Sequence, residues 1–158
     1  MGILTFLLDS KDGLDKVRCL KMALVHDLAE CIVGDITPFC GVVQSEKHRR
    51  ETEAMKHIAG LAGNVGEELF DLYKEYESQV TPEAKVVKEL DRFDMVLQAF
   101  EYEKDQQCPH KLQEFFDSTE GKFTHPILST LVDELSKQRK EYEEIGLDAT
   151  SNLSTFST

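Results

Sequence analysis

The chain has 158 residues, with 18 Lys and Arg against 30 Asp and Glu, a formal charge of −12, and 41% of its residues are hydrophobic. That apolar share excludes wholesale disorder, the length suits one domain, and the acidic balance argues against coating a nucleic-acid polymer. No apolar run approaches the ~20 residues of a membrane span, and the opening MGILTFLLDSKDG lacks the basic segment and cleavage site of a signal peptide.

Met1-Gly2 invites a myristoylation reading, but Phe6 stands where that motif needs Ser or Thr. Cys19, Cys31, Cys40 and Cys108 are scattered without a C-x-x-C pair. They read as reduced thiols in a protein that is not secreted, with a cytoplasmic, nuclear or organellar location.

Hydrophobic periodicity is helical nearly throughout, and no alternating strand pattern with hairpin turns occurs. Residues 3–8 read as the end of a helix, followed by a turn from Asp9 to Gly13. Asp15 is placed to cap a helix running to Val33, which Gly34 ends. Thr37 to Gln44 reads as a loop. Ser45 is expected to cap a third helix, to about Ala62, with Ala54, Met55, Ile58 and Leu61 on its apolar side.

A fourth helix is predicted from Gly66 to Ser78, striped by Leu69, Leu72, Tyr73 and Tyr76. Thr81-Pro82-Glu83 combines a cap, a proline at the first helical position and an acid in the first turn. The helix it starts runs to about Glu103, with Val86, Leu90, Phe93, Leu97 and Phe100 inward. A short helix follows over Leu112 to Asp117, then a last one from Pro126 to about Glu144 burying Ile127, Leu131 and Leu135. The expected fold is an all-α compact helical bundle over 1–144, with a flexible Ser/Thr-rich tail over 145–158.

The helix MALVHDLAECIV, residues 22–33, carries the chemistry. Leu24, Leu28 and Ile32 make one apolar face and Val25, Ala29 and Val33 continue it, yet His26, Asp27 and Glu30 stand in the middle. An unpaired buried charge costs several kcal/mol or is neutralised, so a compensating cation is implied. On an α-helix His26 and Glu30 share a face, Asp27 lies about 100° round, and Asp35 follows just past the helix end. Nitrogen and carboxylate donors suit Mn²⁺, Co²⁺, Fe²⁺, Ni²⁺ or Zn²⁺. Asp91 stands beside the apolar stripe of its own helix as a remote ligand.

Spacing leaves a second reading open, with a core His bonded to Asp, Glu30 at the surface and Asp91 paired with Lys88 or Arg92. The stretch Lys47-His48-Arg49-Arg50 reads either as a phosphate attractor or as a solvated face paired with Glu46, Glu51 and Glu53.

Four blocks, HDLAECIVGDI at 26–36, EKHRRETEAM at 46–55, ELDRFDMVLQAFEYE at 89–103 and FDSTEGKFTHP at 116–126, resemble the HD-domain metal-dependent phosphohydrolases. The match is closest to the HD domain-containing protein 2 group, similar to bacterial 5′-deoxynucleotidases, and runs in register from about residue 1 to Glu144. The resemblance implies an all-α, usually homodimeric enzyme. It would remove phosphate from deoxyribonucleoside 5′-monophosphates with a divalent cation (Mn, Co, Mg, Fe, Ni or Zn).

Carried over, His26, Asp27 and Asp91 would hold the first ion. Glu30 and Asp35 would act on water and, with the Ile36 backbone carbonyl, hold a second ion. The group's first His has no counterpart here: His48, His57, His110 and His125 are all misplaced. It is expected upstream of Met1, together with the substrate-reading Arg-x-Gly-Trp-type loop, and this length is expected to bind metal weakly and turn over poorly. The resemblance leaves the substrate-binding residues unassigned. Two rival activities stay open, an HD-type phosphodiesterase acting on nucleotide second messengers and a non-catalytic metal-binding helical scaffold.

Overall fold

Seven α-helices follow one another in the computed structural model, which describes residues 1–36 and 40–154, with side chains described for most of these up to Glu144. They are α1 (Lys16–Val25), α2 (Glu30–Val33), α3 (Gln44–Leu61), α4 (Gly66–Ser78), α5 (Pro82–Asp105), α6 (Gln113–Asp117) and α7 (Pro126–Ser154), and no strand occurs among the described residues. The chain divides into two units, Met1–Lys88 and Glu89–Thr158, and the division falls within α5.

In the first unit a 3₁₀ segment, Gly2–Leu7, packs on α1, α1 packs on α4, and α4 packs on α3. Leu8, Cys19, Met22, Met55, Leu72 and Tyr73 are buried there. Each apolar side chain of this size contributes about 1.5–3 kcal/mol when fully removed from water. The Asp9 turn closes as a capping box with Asp12, and Gly13 follows at φ 70°. Helix α4 has the bounds its sequence predicts. At the start of α5, Thr81 Oγ1 accepts the Ala84 N–H at 3.1 Å, the cap that Thr-Pro-Glu signals.

Gly66 opens α4 where it touches α3. A Cβ there would lie 1.9 Å from the Ala59 carbonyl oxygen, so only glycine permits the approach. Gly66→Ala is expected to lower stability by about 1–3 kcal/mol, the usual cost of overpacking against backbone, read as a lower denaturant midpoint at unchanged slope.

The second unit is tied by two buried carboxylates. Glu89 accepts from the N–H groups of Thr124 and His125 at 2.8 and 2.9 Å, fixing the entry to α7. Glu103 is fully buried, takes Arg139 Nε and Nη2 at 2.8 and 2.9 Å, and accepts the Leu112 N–H at 2.9 Å. Burial alone would raise the Glu103 pKa, but the Arg139 and Leu112 hydrogen bonds outweigh it and hold it below the usual carboxylate range.

A depressed folded pKa means the stabilisation is complete above the unfolded value of about 4.3 and is lost as pH falls through the folded one. The stability gap between the parent and Glu103→Gln is therefore expected to shrink below about pH 4 in urea titrations.

Several expectations need correction. The helix from Asp15 does not reach Val33 unbroken. Leu24 and Ile32 are 65% and 50% exposed, and the buried face is Cys19, Met22, Ala23 and Val25, set by the contact with α4 and the N-terminal segment. Helix α3 begins at Gln44 with no side-chain cap, so Ser45 lies inside its first turn, and Leu61 is exposed. Ile127 and Leu131 are half-buried, whereas Leu128 is fully buried. Helix α7 continues past Glu144 to Ser154. The predicted loop falls partly outside the described residues, at 37–39, as does the chain end at 155–158.

Candidate metal centre

Asp15 starts α1 by accepting the Arg18 N–H at 2.9 Å. The helix is regular until Val25, and then its hydrogen bonding changes. Leu28 donates to Val25, Glu30 to Asp27 and Cys31 to Leu28, at 3.0, 2.9 and 3.3 Å, each skipping three residues instead of four. The Ala23 carbonyl, which an unbroken helix would offer to the Asp27 N–H, meets His26 Nδ1 at 3.0 Å. The tightened stretch has about three residues per turn, which aligns Asp27 with Glu30 in place of the His26–Glu30 pairing of a continuous helix. Helix α2 resumes at Glu30, and Gly34 ends it at φ 74°.

A carbonyl oxygen only accepts, so His26 Nδ1 carries its proton and the neutral ring has its lone pair on Nε2. That nitrogen lies 2.7 Å from Asp27 Oδ2. Two lone pairs at this distance call for a cation, either a proton or a metal ion. Asp91 lies in the third turn of α5, and ligand atoms of His26, Asp27 and Asp91 all fall within 4.8 Å of one another. With bonds of about 2.0–2.2 Å, donors around one ion sit roughly 3–4 Å apart, so the donor set fits a divalent cation in chemistry and spacing. Carbonyl bonding of the distal imidazole nitrogen is the usual second support of a ligating His.

A cleft of about 110 Å³ opens beside this group, lined by His26, Asp27, Glu30, Lys47, Glu51, Tyr76 and Lys88, among others. Glu30 is half-buried. Burial pushes its carboxyl upward, Asp27 and Asp35 push the same way, and Lys47 opposes them. Asp35 is exposed beyond Gly34. The Ile36 carbonyl, expected to join a second ion, accepts Lys47 Nζ at 2.9 Å.

Most of the basic stretch is a solvated, paired face. Arg49 meets Glu46 and Glu53, Arg50 meets Glu46, and His48 meets Glu77, while Lys47 reaches the cleft. Sequence reasoning missed Glu51 and Tyr76 as cleft residues and saw Lys88 only as an ion partner for Asp91. Lys88, one turn before Asp91 on the same helix, was the available signal. A wider groove of about 430 Å³ in the second unit, bordered by Phe116, Phe123 and Arg139, contains none of the expected site residues. The three-donor group, not that larger volume, marks the chemistry.

Known proteins provide independent comparison. A family profile described as HD domain matches residues 1–131. The chain is similar to 5′-deoxynucleotidase HDDC2 of Danio rerio, with 50% identity over 91% of this chain and 72% of that one. Against the Homo sapiens protein of the same name, identity is 54% over 81% of this chain and 63% of the other. The chain thus spans 63–72% of the length of these two curated relatives. Among solved structures, a Pyrococcus horikoshii OT3 protein superposes with a TM-score of 0.65 at 30% identity, covering 89% of this chain and 78% of that one.

Proposed function

The chain belongs to the HD-domain family, and from that premise we infer that it is a metal-dependent phosphohydrolase. Its reaction is that of a 5′-deoxynucleotidase, releasing phosphate from deoxyribonucleoside 5′-monophosphates. The similarity to proteins named 5′-deoxynucleotidase supports the substrate class. The observation that carries the chemistry is the approach of His26, Asp27 and Asp91 ligand atoms to within 4.8 Å.

These three residues would hold one divalent cation. When bound, such an ion supplies Lewis acidity toward a phosphate oxygen and lowers the pKa of a water molecule. Glu30, half-buried and lining the cleft beside Asp27, receives the proton as water attacks phosphorus. Asp35 supports Glu30 electrostatically. A second cation on Glu30, Asp35 and the Ile36 carbonyl would have to displace Lys47 Nζ from that carbonyl.

At about 110 Å³ the cleft is well below the ~300–1,000 Å³ of pockets that enclose a whole small-molecule ligand. Only the phosphoryl end of a nucleotide enters it, and the sugar and base lie outside.

No disulfide occurs among the described residues, in keeping with a reducing, cytoplasmic setting. No helix among the described residues is long and apolar enough to cross a membrane. A homodimer belongs to the same proposal. Exposed Ile3, Phe6, Val17 and Leu24 in the first unit give it apolar surface to cover, and sedimentation equilibrium should return twice the chain mass.

Phosphate release from deoxynucleoside 5′-monophosphates, measured with Mn²⁺, Co²⁺, Mg²⁺ and Zn²⁺ in turn, tests the activity. Hydrolysis of the monoesters with cyclic nucleotides left intact is the expected outcome. Cleavage of diesters alone would replace this reading with a phosphodiesterase, and no hydrolysis with any ion would leave a metal-binding scaffold.

A further inference from the structure

A second ion in this centre would rest on Glu30, Asp35 and the Ile36 backbone carbonyl. Oxygen donors of this kind suit a hard cation such as Mg²⁺ or Mn²⁺. The carbonyl, however, already has a cation on it. Lys47 Nζ receives it as a hydrogen-bond partner at 2.9 Å and lies 3.5 Å from Glu51 Oε1. Ile36 and Glu51 are buried, and Lys47, Glu30 and Glu51 line the same cleft.

Helix stability does not account for a lysine at this position. Lys47 lies in the first turn of α3, its N–H donating to the Val43 carbonyl at 3.0 Å, and there the helix dipole disfavours a cation. In its pair with Glu51 the base precedes the acid by four residues, the weaker of the two orders on a helix. Arg49 and Arg50 of the same basic run pair with Glu46 instead. Around the Glu30 carboxyl, Asp27, Asp35 and Glu51 act as like charges and Lys47 opposes them. The ion pair with Glu51 belongs to the device, since it anchors the ammonium against the carbonyl.

We propose that the Lys47 ammonium stands in for a second metal ion beside Glu30, so that the centre works with one metal ion and Lys47 is the residue that excludes another. This inference rests on the metal-dependent reading and adds to it the residue that sets ion stoichiometry. A divalent ion on Glu30, Asp35 and the Ile36 carbonyl would claim the oxygen that Lys47 holds, and the two positive charges would repel at close range.

Mn²⁺ titrations of the full chain, followed by calorimetry and by the paramagnetic resonance of free Mn²⁺, test this in the parent, Lys47→Met, Lys47→Gln and Lys47→Met combined with Glu30→Gln. The parent should bind one ion per chain over the range in which Lys47→Met binds two. The second ion of Lys47→Met should be tighter by about 10-fold or more than any second ion of the parent, because a like charge a few ångströms from a divalent ion is worth at least that factor. Lys47→Gln removes the charge but keeps a donor, and should gain affinity by less. Adding Glu30→Gln should remove the gained ion and leave the first, held by His26, Asp27 and Asp91.

Circular dichroism melts identify a variant that unfolds, and Lys47→Gln carries the test if Lys47→Met does not fold. Parent-like stoichiometry and affinity in the folded Lys47 variants would overturn the inference, as would a gained ion that survives Glu30→Gln or a parent that binds two ions equally tightly. If Lys47→Met gains its ion while the parent hydrolyses no deoxynucleotide, the role of Lys47 stands and the deoxynucleotidase reading fails. Hydrolysis by the parent with no gained ion in the variants fails the role of Lys47 alone.

Discussion

Asp91→Ala is expected to abolish both metal retention and hydrolysis. Asp91 is the remote member of the donor group, supplied by α5, while His26 and Asp27 come from one tightened turn. Adjacent residues on a short turn offer an ion a narrow grip, and the third donor makes the set enclosing. Loss of a residue that only supports a ligand already costs about 10–100-fold in metal affinity, so loss of the ligand itself should exceed 100-fold. Without the ion, water is not activated near neutral pH, and the rate should fall to background.

Asp91→Asn separates charge from shape. It keeps an oxygen donor but removes the negative charge, and its metal affinity should lie between those of the parent and the Ala variant. Isothermal titration with Mn²⁺ and phosphate release report the two effects. Parent-like affinity in Asp91→Ala would assign the third donor elsewhere.

Glu30→Gln should leave metal bound and remove turnover. Glu30 is aligned with Asp27 by the three-residue spacing of the turn, half-buried, and flanked by Asp27 and Asp35, which raise its pKa together with burial. The amide retains size and hydrogen bonding but cannot take a proton. A rate loss of about 10²–10⁴-fold is the usual consequence of removing a general base. Metal content at the His26, Asp27 and Asp91 group should stay within twofold of the parent. Parent-like turnover would transfer the proton to another group, with Asp35 next in line; a parallel loss of metal would make Glu30 a ligand first.

Much of this molecule is legible in its residues. Thr81-Pro82 marks the start of α5 and the Gly66–Ser78 stripe gives α4, because each signal is local and the structure adds nothing that competes with it. His26, Asp27 and Asp91 stand out among apolar neighbours in the sequence, but the burial expected of all three fails at Asp27, which is exposed.

The broken helix at residues 26–29 is not legible, since no proline or glycine interrupts MALVHDLAECIV, and the His26 Nδ1 contact with the Ala23 carbonyl that accompanies the break has no local signal. The Leu24–Leu28–Ile32 face fails for a separate reason: Leu24 lies in the regular part of α1 and is exposed, because α4 and the N-terminal segment cover the side that carries Cys19, Met22 and Ala23. Glu89 and Glu103 escape notice for a different reason. Their partners lie 35 and 36 residues away, and a buried carboxylate looks like a solvated one until Thr124 and Arg139 are beside it. Lys47 shows the limit of composition, because one member of a basic run faces the cleft while its neighbours pair on the surface.

Crystals soaked in zinc, with the ion located by anomalous scattering, test the central claim most directly. The expected result is a peak bonded to His26 Nε2 and to carboxylate oxygens of Asp27 and Asp91 at about 2.0–2.2 Å. A fully occupied ion elsewhere, with Asp91 more than a bond length from any metal, would contradict it.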